Sequence, residues 1–156
     1  MNGAESDTLA AFARAVRESS LKRLRLVPAD RENWRPTPEA MSFADLAHHL
    51  IDADEWLFRK LAERALEPMV GHAREAGEVT RDRYLEILAR LEETGRQRSD
   101  LIAGMSPAQL AEPIFDRRFG GEVTVWWVIV RGNLDHEIHH RGQIATYLRM
   151  VEGKRG

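Results

Sequence analysis

The stretch "NLDHEIHHRGQIATYLRM", Asn133 to Met150, packs three of the chain's six histidines into five consecutive positions. His136, Glu137 and His140 spell H-E-x-x-H, one way to hold a catalytic zinc on a helix. Glu137 and His140 also spell E-x-x-H, half of the signature of a two-metal helical bundle. An α-helix turns about 100° per residue, so the facing of each side chain can be worked out. Measured from His136, His140 lies about 40° away, Ile129 and Tyr147 about 20°, and Ile144 about 80° round on the same side. His139 falls about 60° the other way, beside Asp135, Thr146, Arg149 and Arg131. His136 and His140 therefore project toward the apolar side, one turn apart. Glu137 points about 100° from His136, away from the pair, and is set aside as an acid or base.

A second histidine pair, in "MSFADLAHHLIDADEWL" (residues 41–57), separates in the same way. His49 shares its face with Leu46, Ala53, Trp56 and Leu57. His48 points with Asp52, Glu55 and Arg59, a solvated stripe. Three imidazoles, His49, His136 and His140, thus face the interior from two helices, whereas His72 lies in a loop. Buried imidazoles cost free energy unless each finds a partner, and a shared metal ion would supply one to all three. Nitrogen-only ligation leaves a position open, which is how catalytic rather than structural zinc is held. Zinc, nickel and other divalent ions all accept imidazole.

The rest of the chain supplies a helical frame. Periodic apolar positions predict a first helix from about Asp7 to Leu26, with Leu9, Phe12, Val16 and Leu24 on one side. Pro28, Pro36 and Pro38 break the pattern. Ser42, with Asp45 three residues on, opens a second helix that runs to about Arg64. Glu67 to Val79 reads as a loop. Thr80 opens a third helix, with Tyr84, Ile87, Leu88, Leu91 and Leu101 on its apolar side. "SPAQL" from Ser106 predicts a single helical turn. "EPIFDRRFGGEV" can form a short hairpin around Gly120 and Gly121, and Thr124 caps a last long helix to about Val151. Long helices with no repeat, linker or low-complexity tract predict one all-α domain over residues 1–156, a four-helix bundle with a long irregular loop before the last helix.

The totals narrow the function. Lys and Arg (23) nearly cancel Asp and Glu (25) for a formal charge of −2, so no global field recruits nucleic acid or a membrane surface. No run approaches the ~20 apolar residues of a membrane span, and the N-terminus lacks the apolar core of a signal peptide, which makes a cytoplasmic address the expectation. The chain has no cysteine, so any thiol chemistry must arrive with a small-molecule substrate. The basic run "VRESSLKRLRL" is expected on the solvated side of the first helix. Arg117 and Arg118 are expected as an exposed pair, with contact to an anionic substrate as the alternative. Trp56, Trp126 and Trp127 are expected in the core, where Trp56 can also line a pocket.

Two readings of the H-E-x-x-H stretch fail on inspection. A zinc protease with Glu137 as general base needs a third ligand. Thr146 stands where one pattern wants histidine, and too few residues follow His140 for a distant glutamate. A two-metal bundle needs a second E-x-x-H, and its nearest counterpart, "DLAH", ends on the outward His48.

The third reading rests on a resemblance. "ENWRPTPEA", "MSFADLAHHLIDADEWL" and "NLDHEIHHRGQIATYLRM", in that order, resemble the DinB-like or YfiT-like family, covering about Asn33 to Met150. Its pattern has one histidine on the second helix, then H-x-x-x-H followed by R-G-Q. Matched residue by residue, that gives His49, His136 and His140, then Arg141, Gly142 and Gln143. Asn133 departs from the family pattern, where another histidine or a small residue is frequent. The resemblance implies an up-down-down-up bundle, often a homodimer, with a divalent ion (zinc or nickel) on the three histidines. It further implies transfer of a low-molecular-weight thiol, such as mycothiol or bacillithiol, to an electrophile. Gln143 is placed to orient a ligand or a bound water. The alternatives are a metal-dependent hydrolase and a non-enzymatic bundle that binds metal or dimerises.

Overall fold

A computed structural model describes residues 3–64 and 77–152. In chain order it contains α1 (Ala4–Arg25), α2 (Phe43–Glu63), α3 (Arg81–Ala103), the one-turn α4 (Pro107–Leu110), β1 (Pro113–Asp116), β2 (Gly121–Thr124), α5 (Val125–Ile129) and α6 (Asp135–Glu152). A 3-10 turn, Arg117–Phe119, joins the strands, and a π-helical turn, Val130–Leu134, joins α5 to α6. The loop expected over Glu67 to Val79 lies mainly outside the described residues.

Helix starts follow from side-chain caps. The Ser42 hydroxyl accepts from Asp45 N at 3.0 Å while the Asp45 carboxylate accepts from Ser42 N at 2.9 Å, a reciprocal capping box. Thr80 and Thr124 cap α3 and α5, and Ser106 caps α4 with Pro107 in its first turn. The connection before the last helix is more ordered than expected. β1 and β2 pair antiparallel from Pro113 opposite Thr124 to Asp116 opposite Gly121. Gly120 and Gly121 close the turn at φ 82° and 138°, backbone angles that side chains disfavour.

Named pairs fix the helix directions. Arg98 reaches the Ala13 carbonyl, Arg17 that of Leu91 and Tyr84 that of Leu24, so α1 and α3 are antiparallel. Residues 48–55 of α2 line one cleft with residues 83–90 of α3, and residues 58–64 line another with residues 97–104, so those two are parallel. Asn133 meets Ala53, His136 meets His49, and Tyr147 meets Phe43, so α6 opposes α2. The result is a helical bundle with the expected up-down-down-up order.

Apolar residues gather in two clusters. One centres on Leu24, Phe43, Leu46, Tyr84, Leu91 and Ile144, and the other on Ala13, Trp56, Leu57, Ile102, Val128 and Leu134. Between them, at the same level on every long helix, sits a buried polar layer of Arg17, Asp54, Thr94, Arg98, Asn133 and Glu137. Here three expectations need correction. Arg17 belongs to the run assigned to solvent, yet it is buried because two carboxylates from other helices receive its charge. Leu101 and Phe12 are exposed. On α3 the inward stripe passes through Arg98 and Ile102, which leaves Leu101 about 80° off its centre.

Candidate metal centre

α2 and α6 bring the three expected histidines together. His136 Nε2 lies 2.9 Å from His49 Nε2 and 3.0 Å from His140 Nε2. His49 and His140 are buried and His136 half-buried. The outward His48 instead faces Asp52 at 3.4 Å, and His139 is exposed. One ligand atom from each of His49, His136 and His140 falls within 4.8 Å of the others, an arrangement that can hold a metal ion.

Gln143 sets the tautomer of one ring. Its Nε2 donates to the Tyr147 hydroxyl at 2.9 Å, which turns its Oε1 toward His140 Nδ1, also at 2.9 Å. On that network Nδ1 carries the proton and His140 Nε2 presents a bare lone pair to His136. A single proton on His136 Nε2 can serve one of its two neighbours but not both. A cation among the three nitrogens takes every lone pair at once. Tetrahedral zinc places imidazole nitrogens about 3.3 Å apart, close to the two spacings from His136, and leaves a fourth position open. The donor set therefore fits such an ion.

The environment also favours neutral rings. Burial, then the neighbouring His140, His49 and His139 and the Arg118 guanidinium, pushes His136 down to about 3 from an ordinary 6.5. A neutral imidazole is the form that ligates metal.

Glu137, adjacent in sequence to His136, turns into the polar layer. Arg17 Nε and Nη2 each donate to it at 2.9 Å, and Arg98 Nη1 donates at 2.5 Å. Burial alone would raise its pKa, but Arg98 and Arg17 outweigh that and hold it at about 2. A carboxylate so committed is no general base, which disposes of the protease reading on geometry. Asn133 joins the same layer. It accepts from Arg98 at 3.0 Å and donates to the Ala53 carbonyl at 3.2 Å.

One further expectation changes. Trp127 is exposed and edges Phe119, while Trp56 is core as expected. Arg117 and Arg118 are both exposed as expected, but the Arg118 side chain is also anchored: it pairs with buried Asp116 at 3.0 Å and lies 4.0 Å over the Trp56 ring. Residues that the sequence reading missed, Arg17 and Arg98, did leave a signal. Arg98 sits seven residues after Leu91 and four before Ile102, on the apolar stripe itself.

Residues 13–144, most of the chain's length, match the DinB superfamily. The chain belongs to the DinB superfamily. Its fold is similar to that of a DinB-like protein, YjoA, from Bacillus subtilis, known from a crystal structure. The TM-score is 0.70 at 17% identity, over 93% of this chain and 92% of that one. At that identity the likeness concerns the fold alone. No curated protein matches the chain. Like the bundle itself, the described helices of this DinB superfamily member include none long and apolar enough to cross a membrane.

Proposed function

We propose that the chain is a divalent-metal-dependent enzyme that transfers a low-molecular-weight thiol to a small electrophile. His49, His136 and His140 are the metal ligands in this reading, with zinc or nickel as the ion. One observation carries it: the three Nε2 atoms cluster where protons alone cannot satisfy them. When bound, the cation would favour thiolate over thiol at neutral pH, and thiolate is the nucleophile.

The chain's own residues bind and orient. Gln143 holds the His140 ring through Nδ1, and Tyr147 holds Gln143. Tyr147 is itself fixed edge-on against Phe43 and Trp34, with ring centroids 5.7 and 5.5 Å apart. Such outer partners fix ring orientation and raise ligand affinity. The chain lacks cysteine, so no thiol of its own competes for the open position. Dependence on a free reduced thiol also favours the cytoplasm, where such thiols are kept reduced. The family match over residues 13–144 supports a single domain, and family resemblance supports a homodimer.

The test is turnover. Tag-free protein loaded with zinc or nickel is mixed with cysteine, coenzyme A, mycothiol or bacillithiol and with monobromobimane, and fluorescence is followed. Acceleration with one thiol, abolished in His136→Ala, is expected. No acceleration with any of them overturns the transferase assignment.

A further inference from the structure

Arg118 stands on the 3-10 turn of the hairpin, yet its guanidinium is held as firmly as a core group. Nε and Nη2 donate to Asp116 at 3.2 and 3.0 Å, and Asp116 Oδ1 also accepts the Arg118 backbone N–H at 2.9 Å. The guanidinium carbon lies 4.0 Å from the Trp56 ring centroid. Nη2 comes so near the backbone of Gly132 that a Cβ there would meet it at 2.7 Å. Gly132 thus leaves room for this side chain.

Those contacts fix where the charge sits. Trp56 lies seven residues after His49 on α2, and Gly132 lies four residues before His136. Trp56 thus shares α2 with His49, Gly132 lies in the turn that leads into α6, and the Arg118 charge is among those that disfavour a proton on His136. The side chain is 27% exposed, and among the described residues no acceptor faces Nη1. A simple hairpin ion pair would need Asp116 and nothing more. Asp116 holds Nε and Nη2 and so fixes the plane of the guanidinium, which leaves the Nη1 edge as the one that can meet a further anion.

We propose that Arg118 is the substrate-anion contact of this site, and that the thiol it accepts carries a carboxylate. The inference rests on the three-histidine metal reading above. The pre-set plane and the spare donor edge of the guanidinium suit a carboxylate, which neutral or cationic thiols lack. The carboxylate meets Arg118 while the sulfur occupies the open position beside the histidines.

The probes are 4-mercaptobenzoate and 4-mercaptobenzamide, near-isosteric thiols whose rigid ring prevents the carboxylate from reaching the same ion. Each is titrated into tag-free, cobalt-loaded protein, and the thiolate-to-cobalt absorption band is read. Wild type is expected to bind the carboxylate about tenfold more tightly than the amide. Arg118→Gln should bring that ratio to about one while keeping the amide affinity, which also shows that the site is intact. Arg118→Lys, which keeps charge but loses the fork, should retain part of the preference. An undiminished ratio in Arg118→Gln overturns the inference, as does cobalt-loaded protein that binds neither thiol. Failure of the wild type to retain cobalt overturns the metal reading instead, and this inference with it.

Discussion

Arg17 and Glu137, 120 residues apart in the chain, form a two-pronged ion pair with Nε–Oε1 and Nη2–Oε2 distances of 2.9 Å. The pair ties α1 to the residue next to His136. Because Arg98 joins it from α3 and Asp54 from α2, the polar layer links all four long helices at one level.

Removing one partner strands buried charge. Glu137→Gln is expected to destabilise the metal-free protein by about 3 kcal/mol, measured by urea unfolding. A general base replaced in the same way would abolish activity and leave stability unchanged.

Acid should unfold the protein in a defined window. Glu137 titrates at about 2 rather than 4.5, so its contribution is complete above pH 4.5 and is lost as pH falls toward 2. His136 titrates at about 3 rather than 6.5, so the unfolded chain takes up its proton first and stability declines as pH falls from 6.5 toward 3. In metal-free protein, His136→Gln should flatten the upper part of this slope and leave the lower part. Urea midpoints between pH 7 and 3 read both effects.

Gly95 marks where Arg17 crosses α3. A Cβ there would meet Arg17 Cγ at 2.7 Å and Nη1 at 2.8 Å, and that side chain is fixed by the Leu91 carbonyl at Nη1 and by Glu137 at Nε and Nη2. Gly95→Ala should therefore lower the thermal midpoint, although the same change in an open helix interior stabilises by about 1 kcal/mol.

Tyr147→Phe removes the hydroxyl that orients Gln143, and with it the hold on His140 Nδ1. Metal affinity should fall about tenfold by chelator competition, with the fold retained. Unchanged affinity would show that the hydroxyl contributes nothing to the site.

Much of this was legible in the sequence because helical periodicity is local. Ser42, Thr80 and Thr124 announced helix starts, and facing arithmetic separated His49 from His48 and His140 from His139. Other features were hidden because they depend on partners far along the chain. A basic run gives no sign that Arg17 will meet Asp54 and Glu137, and "DRRFGG" does not reveal that Arg118 will lie over Trp56. The π turn at Val130–Leu134 also resets the angular register, so arithmetic at a constant 100° per residue holds only from Asp135 onward. Asn133, in that turn, meets the polar layer and not the histidines.

The most direct measurement is the metal content of tag-free protein beside a His49→Ala, His136→Ala double variant, purified identically and analysed by inductively coupled plasma mass spectrometry. About one divalent ion per chain is expected in the wild type and nearly none in the variant. Equal metal in the two proteins would contradict a metal centre built on these histidines.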